Sequence, residues 1–176
     1  FNLDSILGSI HSNGLASLTH LTSDPTFNLY LENSAVSSPF VGDYKLNKPA
    51  YFFFNAKDLQ MTLSSVCYQQ NLIVLCVEGS RSKEGVNAGV LTLNNLPSSL
   101  IKSYLPEDIT VDTKANATIV GQFTTESDFL GAVNVSLSKG SVKYRLQGRE
   151  VVIPLDKTLL EAYALPTGIT SALNVD

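Results

Sequence analysis

The residues able to do chemistry are few and poorly grouped. The only histidines, His11 and His20, lie in an N-terminal stretch rich in Ser and Thr, with no carboxylate at a useful spacing. A catalytic base or a metal site needs such a partner, or further ligands, within reach; both histidines therefore read as exposed polar side chains. Glu107 and Asp108 follow Pro106 and read as a solvated turn rather than paired acid/base carboxylates, and Asp156 reads as a cap for the segment after it. Serines are abundant but have no base beside them. The GxSxG, HExxH, phosphate-loop and GxGxxG patterns are absent. This inventory predicts a non-enzymatic chain with no cofactor and no metal.

Two cysteines remain, Cys67 and Cys76, in the strand-like segments LQMTLSSVCYQQ and NLIVLCVEG. Facing one another across a hairpin that turns at Asn71-Leu72, they form a disulfide. Asn tolerates positive φ at such a turn, whereas Leu72 is a poor second turn residue. Closing so short a loop stabilises by about 2–3 kcal/mol, and a disulfide implies an oxidising compartment. The other reading is two buried free thiols in a reducing compartment. No third Cys and no nearby His completes a metal site.

Stepping from these residues to the elements that carry them, composition points to sheet. Hydrophobic residues make up 44% of the 176, but charged residues only 16%, below the usual quarter. Ser, Thr and Asn fill the difference, as in sheets with one apolar and one uncharged polar face. The net charge is −4 with both signs scattered, and without a basic stripe nothing indicates nucleic acid. The chain begins at Phe1, with no basic leader and no apolar run long enough to span a bilayer. It reads as one segment, residues 1–176, of a longer protein whose anchor lies elsewhere. Two triplets, Asn116-Ala117-Thr118 and Asn134-Val135-Ser136, fit the glycosylation pattern.

Alternation supplies the strands. Residues 1–24 are ambiguous between helix and strand. Phe27, Leu29 and Leu31 alternate with Asn28, Tyr30 and Glu32; Pro39, Gly42 and Pro49 then mark a loop. Tyr51 to Phe54 follow, then Leu59, Met61 and Leu63 on one side of Asp58, Gln60 and Thr62. SRSKEG (80–85) reads as an exposed loop and Gly89 to Leu93 as a strand. LNNLPSSLIKSYLPED predicts one short helix near 96–105, capped by Asn95, with Pro97 in its first turn and Leu96, Leu100, Ile101, Tyr104 and Leu105 as its stripe. Beyond it, Ile109, Val111 and Ile119, then Val133, Val135 and Leu137, then Val142, Tyr144 and Leu146, then Val151 and Ile153 predict an antiparallel meander turning near Lys139-Gly140 and at 147–150. After Leu155 one irregular or edge strand is expected.

An all-β, mainly antiparallel sheet results, with one continuous apolar face. Such a face needs cover, and one short helix cannot form a layer. Either the sheet folds over itself into a β-sandwich with a fully buried core, acting as a secreted binding or adhesion module, or the face stays open for a ligand.

The succession LTLNNLPSSLIKSYLPEDITVDTKANATIVGQF (91–123) resembles the TamB family in its strand, its "NLP…LxxxLP" helix and the strand opening with a carboxylate after Pro. The upstream hairpin bearing Cys67, Cys76 and Gly79, and GAVNVSLSKGSVKYRLQGREVVIPL (131–155), resemble the flanking parts of the same family, so the likeness covers roughly 57–155. It implies a periplasmic part of a long protein anchored in the inner membrane of a Gram-negative bacterium. Its partner would be the outer-membrane barrel TamA, contacted outside this segment. The implied fold is a U-shaped "β-taco" sheet with an apolar concave face. The implied function is translocation and assembly: shielding phospholipid acyl chains, as in AsmA-like and bridge-like lipid-transfer proteins, or unfolded outer-membrane β-barrel clients. The residues expected in that groove are Phe27, Leu29, Leu31, Leu59, Met61, Leu63, Ile109, Val111, Ile119, Val133, Val135, Leu137, Val142, Tyr144, Leu146 and Ile153.

Overall fold

In a computed structural model the chain is described over residues 2–5, 8–20, 22–38, 42–124, 129–146 and 148–175. Its strands are β1 (Asn2–Ser5), β2 (Gly8–Thr19), β3 (Thr26–Ser38), β4 (Gly42–Leu46), β5 (Ala50–Asn55), β6 (Gln60–Gln70), β7 (Ile73–Arg81) and β8 (Asn87–Pro97). After a 3₁₀ element (Ser98–Tyr104) come β9 (Ile109–Asp112), β10 (Lys114–Phe123), β11 (Leu130–Leu137), β12 (Gly140–Leu146), β13 (Arg149–Leu155), β14 (Thr158–Leu165) and β15 (Gly168–Val175).

Twelve strands form one antiparallel sheet in the order β1-β2-β3-β4-β6-β7-β8-β10-β11-β14-β15, with β5 beside β4 between β3 and β6. The other three, β13-β12-β9, form a separate small sheet. Both excursions to it leave from one rim of the large sheet. There Lys114 pairs with Pro97, Ala115 with Leu137, and Leu137 with Thr158.

Several local expectations change. The N-terminal stretch is strand, in β1 and β2, and the loop expected between Pro39 and Pro49 contains β4, with residues 39–41 outside the described set. The segment after Leu155 is not one irregular strand but the regular pair β14 and β15. The strand expected to run unbroken from Ile109 to Ile119 is interrupted at Thr113, and the turn at 138–139 closes no hairpin. β11 pairs with β14 while β12 crosses to β9 and β13.

The expected helix is a 3₁₀ stretch, with Pro97 rather than Asn95 before its first residue and no side-chain cap. Asn95 belongs to β8, with φ 58°, and its side-chain amide donates to the Leu72 carbonyl at 3.0 Å. Prolines at 97 and 106 bracket too few residues to propagate an α-helix. The side chains of Ile101 and Tyr104 lie outside the described set.

A knot of short polar residues holds the two sheets together. The Ser98 hydroxyl donates to the Val111 carbonyl at 2.5 Å and accepts the Thr113 amide at 3.2 Å. The Thr113 hydroxyl donates to the Ser138 carbonyl at 2.6 Å. Gly140 sits against this knot because a Cβ there would meet the Asp112 carbonyl oxygen at 2.0 Å. Pro154 lies on β13, an edge strand, where its missing N–H costs no ladder bond.

An uncovered apolar face as the candidate functional site

Directly paired residues in an antiparallel sheet point to the same side, so register decides which side chains share a face. One row runs Leu29, Phe52, Leu63, Gly79, Gly89, Gly121, Gly131, Ala164. The next on that side runs Val66, Val77, Leu91, Ile119, Val133, Ala162, and the one after it Tyr68, Leu75, Leu93, Ala117, Val135, Leu160, Leu173. Between the last two, on the opposite side, run Cys67, Cys76, Thr92, Thr118, Asn134 and Glu161. The contrast persists at the other end, where Phe27 pairs with Phe54, and Phe54 with Met61. The Phe27 and Phe52 rings lie 6.1 Å apart. The second face carries most of the Ser, Thr, Asn and Gln of these strands, together with Tyr30, Tyr51, Phe53, Val74, Val90, Val120, Leu130, Leu159, Tyr163 and Leu165.

The residues expected in a groove divide into three groups. Phe27, Leu29, Leu31, Met61, Leu63, Ile119, Val133, Val135 and Leu137 share the apolar face of the large sheet. Ile109, Val111, Val142, Tyr144 and Ile153 share one face of the small sheet, with Leu146 following the same alternation on β12. Leu59 joins neither. It precedes β6 with φ 53°, in a turn held by the buried Asn55, whose side-chain oxygen accepts the amides of Lys57 and Asp58. That Asx turn outcompetes the alternation read through Leu59.

Cys67 and Cys76 are directly opposed in the β6–β7 hairpin and disulfide-bonded. Asn71 takes positive φ (53°) at the two-residue turn, and the Gln69 side chain donates to its carbonyl at 2.7 Å. The bridge lies on the polar face, where it pins register without occupying the apolar one.

Among the described residues no second layer packs on the apolar face. Among the described residues the buried hydrophobics are Ala50 and Cys67. Ile119 is 39% exposed near the middle of the sheet and Leu173 64% exposed at its edge. The accessible surface is 11920 Å², against about 8,400 Å² for a compact monomer of this mass. The excess of about 3,500 Å² is total surface, polar and apolar over both faces, and measures how far the sheet is from a closed core. A β-sandwich with a fully buried core would not leave it.

Alternation alone did not single out the glycine row. Gly79, Gly89, Gly121 and Gly131 are successive partners across four strands. The Phe129 ring lies over two of them, within 3.0 Å of where a Cβ on Gly121 would sit and 2.5 Å for Gly131. Isolated glycines inside strand patterns are a readable signal for bends and close approach; their alignment is visible only once register is known.

Among the described residues no group of three or more His, Cys, Asp or Glu is placed to hold a metal ion. The Glu84 carboxyl is held below its ordinary value by the Ser82 hydroxyl, within an exposed loop. Among the described residues no helix is long and apolar enough to cross a membrane.

Comparison with curated proteins and with solved structures gives no match. The family model described as "TamB, N-terminal domain" matches residues 7–175. The match covers nearly the whole length, and the chain belongs to the TamB family, within the family's N-terminal domain.

Proposed function

We propose that this chain is a non-catalytic segment of the translocation and assembly module, working in the periplasm as part of an inner-membrane-anchored protein. Its large sheet curves into a trough, with the apolar rows inside and the Ser/Thr/Asn rows outside. That interior shields phospholipid acyl chains, or outer-membrane β-barrel clients, between the two membranes. The partner is the outer-membrane barrel TamA, contacted beyond this segment. The small sheet adds Ile109, Val111, Val142, Tyr144, Leu146 and Ile153 to the wall at one rim.

The surface excess carries this reading. With about 3,500 Å² more surface than a compact monomer and Leu75, Val77, Ile119 and Leu160 exposed on the apolar rows, the sheet has room for an apolar occupant, and each CH₂ laid against it recovers about 0.8 kcal/mol. Family membership supports the module and the compartment. The aligned glycines support curvature, because four strands lose their side chains along one line and can bend there.

The test places single charges on opposite faces. Ile119→Asp and Val135→Asp, in the full-length protein, are expected to abolish support of outer-membrane assembly and binding of an acyl-chain probe, with the β circular dichroism spectrum retained. Thr118→Asp and Asn134→Asp, one residue away on the other face, are expected to preserve both. Equal effects from the two faces would sink the proposal.

A further inference from the structure

A single cation stands on the apolar face. The outermost row, at the end of the strands away from the small sheet, runs Phe27, Phe54, Met61, Arg81, Asn87, Phe123 by direct pairing. Paired residues share a side and alternate residues of a strand share a face. Arg81 therefore stands on the same side as Gly79, Val77 and Leu75 of β7, beside the column Asn87, Gly89, Leu91, Leu93 of β8. Among the described, paired residues on this side of the large sheet, Arg81 is the one that carries charge.

Arg81 is held there. Its Nη1 donates to the Asn87 side-chain oxygen at 3.1 Å. The Asn87 amide is itself fixed, donating to the Gly85 carbonyl at 3.2 Å and to the Phe123 carbonyl at 3.3 Å. A half-buried charge on an apolar face costs free energy unless an opposite charge meets it. Among the described residues no carboxylate lies within ion-pair distance of Arg81. Asn87 takes one of five guanidinium donors, and the rest can still grip an anion. Beside Arg81 the face dips. A Cβ on Gly79 would meet the Ala88 carbonyl oxygen at 3.4 Å and one on Gly89 the Glu78 carbonyl oxygen at 3.5 Å, with no side chain over either. The Phe129 ring covers Gly121 and Gly131 but not this pair.

We infer that Arg81 receives the phosphate of a phospholipid whose acyl chain starts over Gly79 and Gly89 and runs along Val77, Leu91, Leu75 and Leu93. The inference rests on the proposed role of the apolar face, and adds how a lipid lies on it and which group is read. The path is open, since Val77 is 39% exposed and Leu75 36%. From Arg81 to Leu75 an extended strand covers about 20 Å, against about 15 Å for the acyl layer of one leaflet. One guanidinium reads the phosphodiester that phospholipids have in common. No second cation among these paired rows rewards extra negative charge, and no carboxylate there holds an ammonium. The site therefore does not sort lipids by net head-group charge. A free phosphate would meet Arg81 without using the apolar column, and a diacylglycerol would use the column without engaging Arg81.

The experiment measures binding of four probes to the chain: dihexanoyl phosphatidylcholine, dihexanoyl phosphatidylglycerol, an uncharged short-chain diacylglycerol and inorganic phosphate. The parent is compared with Arg81→Gln, Arg81→Lys and Arg145→Gln, the last an equal charge change on the small sheet. Circular dichroism checks each fold, and Arg81→Lys carries the test if Arg81→Gln loses its β spectrum. The two phospholipids should bind within about threefold of each other and more tightly than inorganic phosphate. Arg81→Gln should lose about tenfold or more for both, because a charge-assisted pair to phosphate goes. Arg81→Lys should lose part of this, because the charge stays and the planar fork does not. Arg145→Gln should stay within about twofold, and diacylglycerol should bind all four proteins alike. Equal losses in Arg81→Gln and Arg145→Gln, or none in either, overturn the head-group site. Phosphatidylglycerol binding about tenfold more tightly than phosphatidylcholine overturns the reading of the shared phosphodiester. Inorganic phosphate binding as tightly as the phospholipids overturns the link to a tail. If diacylglycerol fails to bind the parent chain, the reading of the apolar face falls instead, which separates the two failures.

Discussion

The amide of Ser98 donates to the Thr113 carbonyl at 3.0 Å, and the amide of Thr113 donates back to the Ser98 hydroxyl at 3.2 Å. This reciprocal pair, with both residues buried, ties the end of β8 to the junction of β9 and β10. Through the Thr113 hydroxyl and the Ser138 carbonyl it reaches the end of β11 as well. The small sheet is thus fixed to the rim by hydrogen bonds rather than by an apolar interface.

Removing one hydroxyl should therefore loosen the small sheet more than the large one. Ser98→Ala leaves the buried Thr113 amide and Val111 carbonyl short of a partner, at a cost of about 1–3 kcal/mol. Amide exchange of Ile109 to Asp112 and of Ser141 to Tyr144 should quicken, while that of β6 and β7 stays unchanged. Uniform quickening across both sheets would contradict this role.

Gly140 should not tolerate a side chain. A Cβ would meet the Asp112 carbonyl oxygen at 2.0 Å and the Thr113 Cβ at 2.9 Å, and the first of these is backbone that cannot swing away. Gly140→Ala is expected to destabilise by about 1–3 kcal/mol in urea unfolding. Gly148→Ala, with open space around the added carbon but a positive φ of 79°, should cost only about 1 kcal/mol.

Reduction of Cys67–Cys76 should lower stability without releasing a large region. The bridge spans a sequence separation of 9, so the chain-entropy contribution is about 2–3 kcal/mol. Thermal unfolding with and without reductant measures it, and a Cys67→Ser/Cys76→Ser variant should match the reduced parent and ignore reductant. Because the bridge lies on the polar face, acyl-probe binding at low temperature should survive the change.

A dye that brightens on apolar surface should bind the native chain, in contrast to a protein with a closed core. Phe129→Ala, which clears the ring from over Gly121 and Gly131, should raise the signal by exposing more of the face. Val135→Asp should lower it. A dark native protein would count against the open face.

One-sidedness was legible because side chains alternate at every residue of a strand, so Ile119, Val133 and Val135 needed only local pattern to be grouped. The Cys67–Cys76 hairpin was legible for a similar reason: the two segments are adjacent, and Asn71 suits the turn between them. Leu59 was misplaced because an Asx turn from Asn55 interrupts a pattern that sequence alone reads straight through. β4 was hidden behind Gly42 and Pro49, whose turn signals outweigh five residues of strand. The Ser98–Thr113 pair was beyond reach, since it joins residues from separate elements.

By itself, the sequence determined that this chain is an antiparallel β protein with a polar and an apolar side, because alternation and turn chemistry are local. Only the tertiary structure decided which sheet each strand joins. β9, β12 and β13 carry the same alternation as β10 and β11, and what separates them is the hydrogen-bonded junction at Ser98, Thr113 and Ser138 with Gly140 packed against it. It also decided that the apolar side stays uncovered. Cover is a property of what packs on a face, and no pattern within a strand records whether a second layer arrives.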